Sequence, residues 1–255
     1  MKKKNYIFFI GGYDAEMASI KEILDAKKIP YFDKHLSWGA ALSEYKEELN
    51  GLSPDQTPVF IELRLDTGYP ERSIIIDHHN ERAGKDRQTS IEQVADLLGV
   101  KLNRYQRLIS ANDRGHIPAM KLLGATPREI EQIRKYDRQC QGVTPEIEKQ
   151  AEESIRKHSE KIAPGVIIVN SLTEKSSPVM DRLYDKFKHL FILGPSNDFS
   201  YFGSGKMIDR LEALYEKLKK SRPDIVFWKG GNLPDYGFLG SNFAIDKEQI
   251  KALLS

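Results

Sequence analysis

Short β-rich apolar runs alternate with amphipathic stretches along this chain, and that alternation restricts it to a largely parallel sheet covered by helices. Asn5–Ile10 is one such run; the glycine pair Gly11-Gly12 interrupts it, and Ala15–Lys27 then sets Met17, Ile20, Ile23 and Leu24 at helical spacing. Pro58–Leu65 and Ser73–Ile76 read as further strands, and Thr89–Leu98 as a helix opened by Thr89 or Ser90 with Glu92 or Gln93 behind. Residues 101–138 show helical periodicity with few strand candidates. Thr144-Pro145 opens a charged segment, Glu146–Lys161, whose acid and base neighbours predict a linking helix. After Pro164-Gly165 the pattern restarts, with strands at Val166–Val169, Leu190–Leu193 and Ile225–Trp228 and helices at Pro178–Lys188 and Met207–Lys220. The expected organisation is an N-terminal α/β domain over 1–143, a linking helix over 144–164 and a smaller C-terminal α/β domain over 165–255.

At 255 residues the chain can bury a core unaided. Its 40% hydrophobic and 30% charged residues exclude a disordered or collagenous chain. The apolar run Tyr6–Ile10, after three lysines, is far too short for a membrane span and lacks a cleavage site, so neither a membrane partner nor secretion is expected. A single cysteine, Cys140, permits no internal disulfide and fits a reducing cytoplasm. With a net charge of +2, any polyanion would have to be held by a local patch rather than by bulk charge.

The most informative stretch is Ile75-Ile76-Asp77-His78-His79-Asn80, an apolar run that ends in an acid and two imidazoles. Polar groups at a strand's carboxyl end lie where open α/β sheets bind ligands. Imidazole and carboxylate together ligate Mn, Fe or Zn, and a nearby carboxylate can fix a histidine tautomer. Taken alone the pair also reads as a solvated loop. Two other expected strands run into acids, Asp14 and Glu16 after the first and Asp66 after the second, while Asp113 sits in the turn-like Ser110-Ala111-Asn112-Asp113-Arg114-Gly115. Each acid by itself reads equally well as a cap or turn residue. Gathered at one sheet end they would repel each other without a cation, and two divalent metals sharing one carboxylate resolve that economically.

With Asp77-His78-His79 closing an apolar strand and Thr89-Ser90-Ile91-Glu92-Gln93-Val94 following, the chain resembles the DHH phosphoesterase superfamily. The order Asp14-Ala15-Glu16, Asp66, Asp77 to His79, Asp113 is similar to that family's motif order, and Lys229-Gly230-Gly231-Asn232-Leu233-Pro234-Asp235-Tyr236-Gly237 resembles its C-terminal glycine-rich phosphate motif. The resemblance implies a parallel-sheet catalytic domain, a smaller C-terminal substrate domain and an active site in the cleft between them. It implies one or two Mn2+ ions, with Mg2+ as a substitute, held by Asp14, Glu16, Asp66, His78 and Asp113, with Asp66 bridging. Asp77 would orient a ligand histidine, and His79 and Arg114 would face the phosphoryl group. Arg82, Gly230, Gly231 and Asn232 would hold substrate, a phosphorylated small molecule or a short oligonucleotide.

Three positions depart from the family pattern: Ile10 stands where a histidine is usual, Glu16 is one methylene longer than the usual aspartate, and Leu233 replaces a histidine. A chain that binds a nucleotide or oligonucleotide as a sensor or partner subunit, without turnover, is the alternative these changes support. The glycines of Lys229–Gly237 are also those of a tight turn. Gly203-Ser204-Gly205-Lys206 is not a P-loop, because Ser200 and Met207 stand where Gly and Ser or Thr are needed. Phe199, Tyr201 and Phe202 beside Lys206 read either as a stacking surface or as a buried edge strand. Arg82, Arg87 and Arg114 could neutralise phosphate oxygens or simply be surface residues.

Overall fold

The computed structural model describes residues 5–37, 39–79, 82, 87–232 and 235–254. Asn80, Leu233 and Pro234 lie outside the described residues, and of Asn232 only the backbone is described. The chain divides into two units, Met1–Gly142 and Val143–Ser255.

In the first unit β1 (Asn5–Ile10), β2 (Tyr31–Asp33), β3 (Gln56–Ile61) and β4 (Ile74–Ile76) form a sheet in the order β2-β1-β3-β4. All its pairings are parallel. Phe8 and Ile10 pack on one face with Met17, Val59, Ile61 and Ile91, whereas Ile7 and Phe9 pack on the other with Leu42, Tyr45 and Phe60. Burial on both faces explains why these strands read as unbroken apolar runs rather than alternating ones. Helices α1 (Ala15–Lys27) and α3 (Ser90–Leu98) supply the first layer; a 3-10 turn, Leu42–Tyr45, leads into α2 (Lys46–Asn50) on the other side.

The register positions everything that follows. Ile10 lies beside Ile61, and Ile61 beside Ile76, so three parallel strands stop level with one another. Gly11 is required at this rim: a Cβ there would meet the Glu62 carbonyl oxygen at 2.6 Å and that of Ile61 at 2.7 Å. Ile10 itself is fully buried in the core, which is where an apolar side chain belongs and an imidazole would not.

Beyond the sheet, the helical periodicity over 101–138 resolves into α4 (Arg104–Leu122) and α5 (Pro127–Cys140). α4 breaks at Gly115 and His116, because Pro118 has no N–H to give and its ring crowds the carbonyl one turn back. His116 takes a strained positive φ of 57° at that break. Asp113 therefore ends the first half of α4 rather than sitting in a free turn.

The second unit holds a mixed sheet of order β5-β6-β7-β8-β10-β9, built from β5 (Ser159–Ala163), β6 (Val166–Asn170), β7 (His189–Leu193), β8 (Phe199–Gly203), β9 (Phe227–Asn232) and β10 (Tyr236–Ser241). Helices α6 (Pro145–His158) and α7 (Ser177–Leu183) cover one face; α8 (Gly205–Lys219) and α9 (Lys247–Leu254) cover the other. Two expectations need correction. The charged helix is not a separate linker: Ala151 is buried among Val169, Val179 and Leu190, and 159–163 is an edge strand. Phe199, Tyr201 and Phe202 lie on β8, an interior strand between β7 and β10, with Phe199 and Tyr201 fully buried. Among the described residues no helix is long and apolar enough to cross a membrane.

The glycine pair expected to form a phosphate loop lies inside β9 instead. A Cβ on Gly230 would sit 2.8 Å from the Phe238 ring, and one on Gly231 would sit 2.5 Å from the Gly237 Cα. Both glycines thus serve the β9–β10 hairpin, and Gly231 has a φ of +111° that a β-branched residue cannot adopt without strain. Gly231→Val should therefore lower the unfolding free energy by about 1–3 kcal/mol, read by denaturant titration, while bound Mn2+ stays unchanged. A strongly raised KM for a phosphorylated substrate with unchanged stability would return the pair to the functional site.

Candidate metal centre

Because the three strands of the first sheet end level, the residues just beyond them emerge together. Glu62 follows β3 directly, in the left-handed region at φ 51°. Asp77, His78 and His79 follow β4, and Asp14 and Glu16 enter α1 after the glycine turn. Asp113 comes in from α4.

Three of these side chains meet a fourth at one atom. His78 Nε2 stands 2.6 Å from Asp113 Oδ2, 3.5 Å from Glu62 Oε1 and 3.6 Å from Glu16 Oε2. Two groups have ligand-type atoms close enough to share an ion, Glu16 with His78 and Asp113, and Glu62 with His78 and His79. Glu16 Oε2, His78 Nε2 and Asp113 Oδ2 are buried and none makes a directed hydrogen bond among the described residues. Orphaned buried polar atoms are costly, and a cation would satisfy all three at once.

Hydrogen bonds from the surrounding elements hold these carboxylates in place. Glu16 Oε1 accepts from Ile91 N at 3.0 Å, and Glu62 Oε1 accepts from Ser90 Oγ at 2.7 Å, so the N-terminus of α3 faces both acids. That helix starts here because Thr89 and Glu92 form a capping box. Asp14 caps α1, its Oδ1 accepting from Met17 N at 2.9 Å. Asp77 Oδ1 accepts from His79 N at 2.9 Å and Oδ2 from Arg82 Nη1 at 3.3 Å, which ties the two imidazoles into one turn.

Electrostatics follow from this crowding. Burial pushes the Asp14 carboxyl up to about 6, helped by Asp113 and Asp137. Burial and Glu16 raise Asp113 to about 6 against the pull of His78. Burial, Glu16, Asp113 and Asp14 hold Glu62 well above the carboxylate range. Burial disfavours the His78 imidazolium, yet Asp113 and Glu16 outweigh it and raise the group to about 10. For Asp77 burial is outweighed by the hydrogen bonds of His79 and then Arg82, and its carboxyl is lowered.

Two residues expected here are elsewhere. Asp66 accepts from Ser43 N at 2.9 Å and Ser43 Oγ at 2.7 Å, anchoring the 3-10 turn from beyond the end of β3. Arg114 donates to Glu92 and to the Arg87 carbonyl. Glu62, not Asp66, is the β3 acid beside both histidines. The alternation Ile61-Glu62-Leu63-Arg64-Leu65 reads as continuing strand, which hid it; the cue was that the unbroken apolar run stops at Ile61. Also unread in the sequence is a buried brace from α5, in which Asp137 accepts from Ala15 N at 3.2 Å and from Arg134 Nη1 at 2.7 Å, and Arg134 donates to Asn112 Oδ1 at 2.9 Å.

No family model and no curated protein matches the chain. Among solved structures it is similar to Mn2+-bound RecJ from Thermus thermophilus, at 10% identity and a TM-score of 0.37 over 98% of this chain and 51% of that one. The chain thus spans about half the length of that protein. A second likeness is to exonuclease RecJ bound to manganese, at 10% identity, TM-score 0.38, over 100% of this chain and 89% of that one. A third is to an uncharacterised protein from Helicobacter pylori G27, at 11% identity and TM-score 0.28, over 97% and 98% of the two chains.

The repulsion has a signature in the metal-free protein. Asp14 and Asp113 bind protons more tightly folded, near 6, than unfolded, near 4, so stability is lost as pH rises through that window, up to about 3 kcal/mol for Asp14. The His78 contribution is complete below about 6.5 and lost as pH rises through about 10, the same direction. Lowered Asp77 acts oppositely, but only at and below about 4. The melting temperature without metal should fall steadily from pH 5 to about pH 9, and Mn2+ at neutral pH should restore it. A metal-free melting temperature that rises over this range would contradict the buried, uncompensated cluster.

Proposed function

We propose that this chain is a divergent member of the DHH phosphoesterase superfamily, a metal-dependent hydrolase of a phosphate ester or anhydride in a nucleotide or short oligonucleotide. The observation that carries the reading is the convergence of Glu16, Glu62 and Asp113 on His78 Nε2, with buried atoms of Glu16, His78 and Asp113 that make no directed hydrogen bond among the described residues. A mixed imidazole and carboxylate donor set fits Mn2+ better than Mg2+, which favours oxygen ligands and retained water.

When bound, a divalent cation supplies Lewis acidity and activates water for attack on phosphorus. The chain's own residues do the rest. Asp77 holds the turn through His79 N, so that the His79 ring stands at the partly exposed mouth of the cluster, 29% accessible. There it can donate to a phosphoryl oxygen. Arg82, with its guanidinium on Asp77, sits beside it and can share a phosphate's charge. Arg114 joins them in this reading only by leaving Glu92. No side-chain nucleophile is needed.

The second reading, binding without turnover, is favoured by Ile10 being buried in the core where the family carries a histidine. One set of assays separates the two. With Mn2+ present, bis-p-nitrophenyl phosphate, pyrophosphate, short oligonucleotides and cyclic dinucleotides are offered in turn. The proposal expects hydrolysis of at least one, abolished by chelator and reduced at least ~100-fold by His78→Ala, as loss of a metal ligand should. Tight nucleotide binding with no turnover of any substrate would leave the binding reading in its place.

A further inference from the structure

We infer that this chain holds one divalent cation, ligated by Glu16, His78 and Asp113 with the Glu62 carboxylate beside it, and not a pair. The inference rests on the metal-dependent reading above and departs from the two-ion arrangement that the sequence resemblance suggests.

The reasoning starts from a lone pair. Both ligand groups contain His78, and its Nε2 is the atom that faces Glu16, Glu62 and Asp113 alike. An imidazole nitrogen has a single lone pair and can bind one cation. The two groups therefore compete for one atom and cannot both be filled. Donors about 2.0–2.2 Å from a common ion stand roughly 3–3.5 Å from each other, which matches the spacing of Glu16 Oε2 from His78 Nε2, 3.6 Å, within the group that also holds Asp113. Asp113 is closer, at 2.6 Å, and needs only a small outward shift. Glu16 supplies an independent sign that a ligand belongs there: it is 1% exposed, and its Oε2 is unbonded and aimed at the same point.

A second ion would have to be assembled from what is left. Among the described residues, His79 Nδ1 and Glu62 Oε1, 3.6 Å apart, are the donors remaining on that side. Asp77 is already held by His79 N and by the Arg82 cation, whose charge would itself oppose another cation. Asp14 belongs to neither group, and one of its oxygens caps α1. β1 offers no imidazole, because its last residue, Ile10, is fully buried in the apolar core. Two donors beside a guanidinium do not make a divalent site.

The test is stoichiometry. Free Mn2+ is followed by electron paramagnetic resonance as it is titrated into the metal-free full chain, and bound metal is counted by elemental analysis after dialysis. One bound Mn2+ per chain, with the spectrum of an isolated ion, is expected for the wild type. Asp14→Asn, which keeps a good helix cap, and His79→Ala should still bind one. His78→Ala should bind none, with His78→Gln as the replacement if the alanine variant does not fold by circular dichroism. Glu62→Gln should weaken binding at least tenfold. Two bound ions in the wild type, a coupled-pair spectrum, or loss of the ion in Asp14→Asn or His79→Ala would overturn the single-ion assignment while leaving metal dependence standing. A folded wild type that binds no Mn2+ would instead remove the metal-dependent reading on which it rests.

Discussion

Mutual repulsion of carboxylates around one buried imidazole nitrogen is the constraint on which the first unit turns. Glu16, Glu62 and Asp113 face His78 Nε2 with little solvent to screen them. An arrangement of this kind is held against its own electrostatics by everything around it. The register of β1, β3 and β4 brings the strand ends level. Gly11 lets β1 approach the Glu62 carbonyl, α3 turns its N-terminus toward two of the acids, and the Asp137–Arg134 pair fastens α5 to the start of α1 and to α4 beside Asp113. Burying an ion pair is seldom a gain in stability by itself, so the brace makes better sense as positioning. The strained backbone at Glu62 and at His116 points the same way, since both residues adjoin the cluster or the helix end that feeds it.

Much of this was legible in the sequence, for reasons that can be stated locally. β1 and α1 came out at their observed bounds because an apolar run, a glycine pair and a helical apolar stripe occur with no ambiguity of period. α3 was readable from its capping box. Asp77-His78-His79 stood out because polar groups end an apolar strand. What was hidden depended on tertiary contact: Glu62 against Asp66 turned on where β3 stops, and both alternatives fit a strand pattern. The buried Arg134 and Asp137 lie on a helix whose other charges are mostly solvent-facing, and nothing in the sequence tells them apart from those. In the second unit the misreadings share one cause. Short strands such as 159–163 and a glycine-containing hairpin carry a weak period-2 signal, and packing partners decide them.

The site separates two kinds of residue that sequence motifs merge. Glu16, Glu62 and Asp113 each face the buried His78 Nε2, whereas His79 and Arg82 stand toward solvent with Asp77 between them. A division of labour between holding a cation and meeting a phosphoryl group follows from that difference in exposure.

An anomalous-difference map from crystals soaked in Mn2+ tests this account most directly, because it places the ion against named side chains. The account predicts a single peak bounded by Glu16, Glu62, His78 and Asp113, with no second peak beside His79. A map with no peak at His78 Nε2, or with its ion on Asp66, would contradict it.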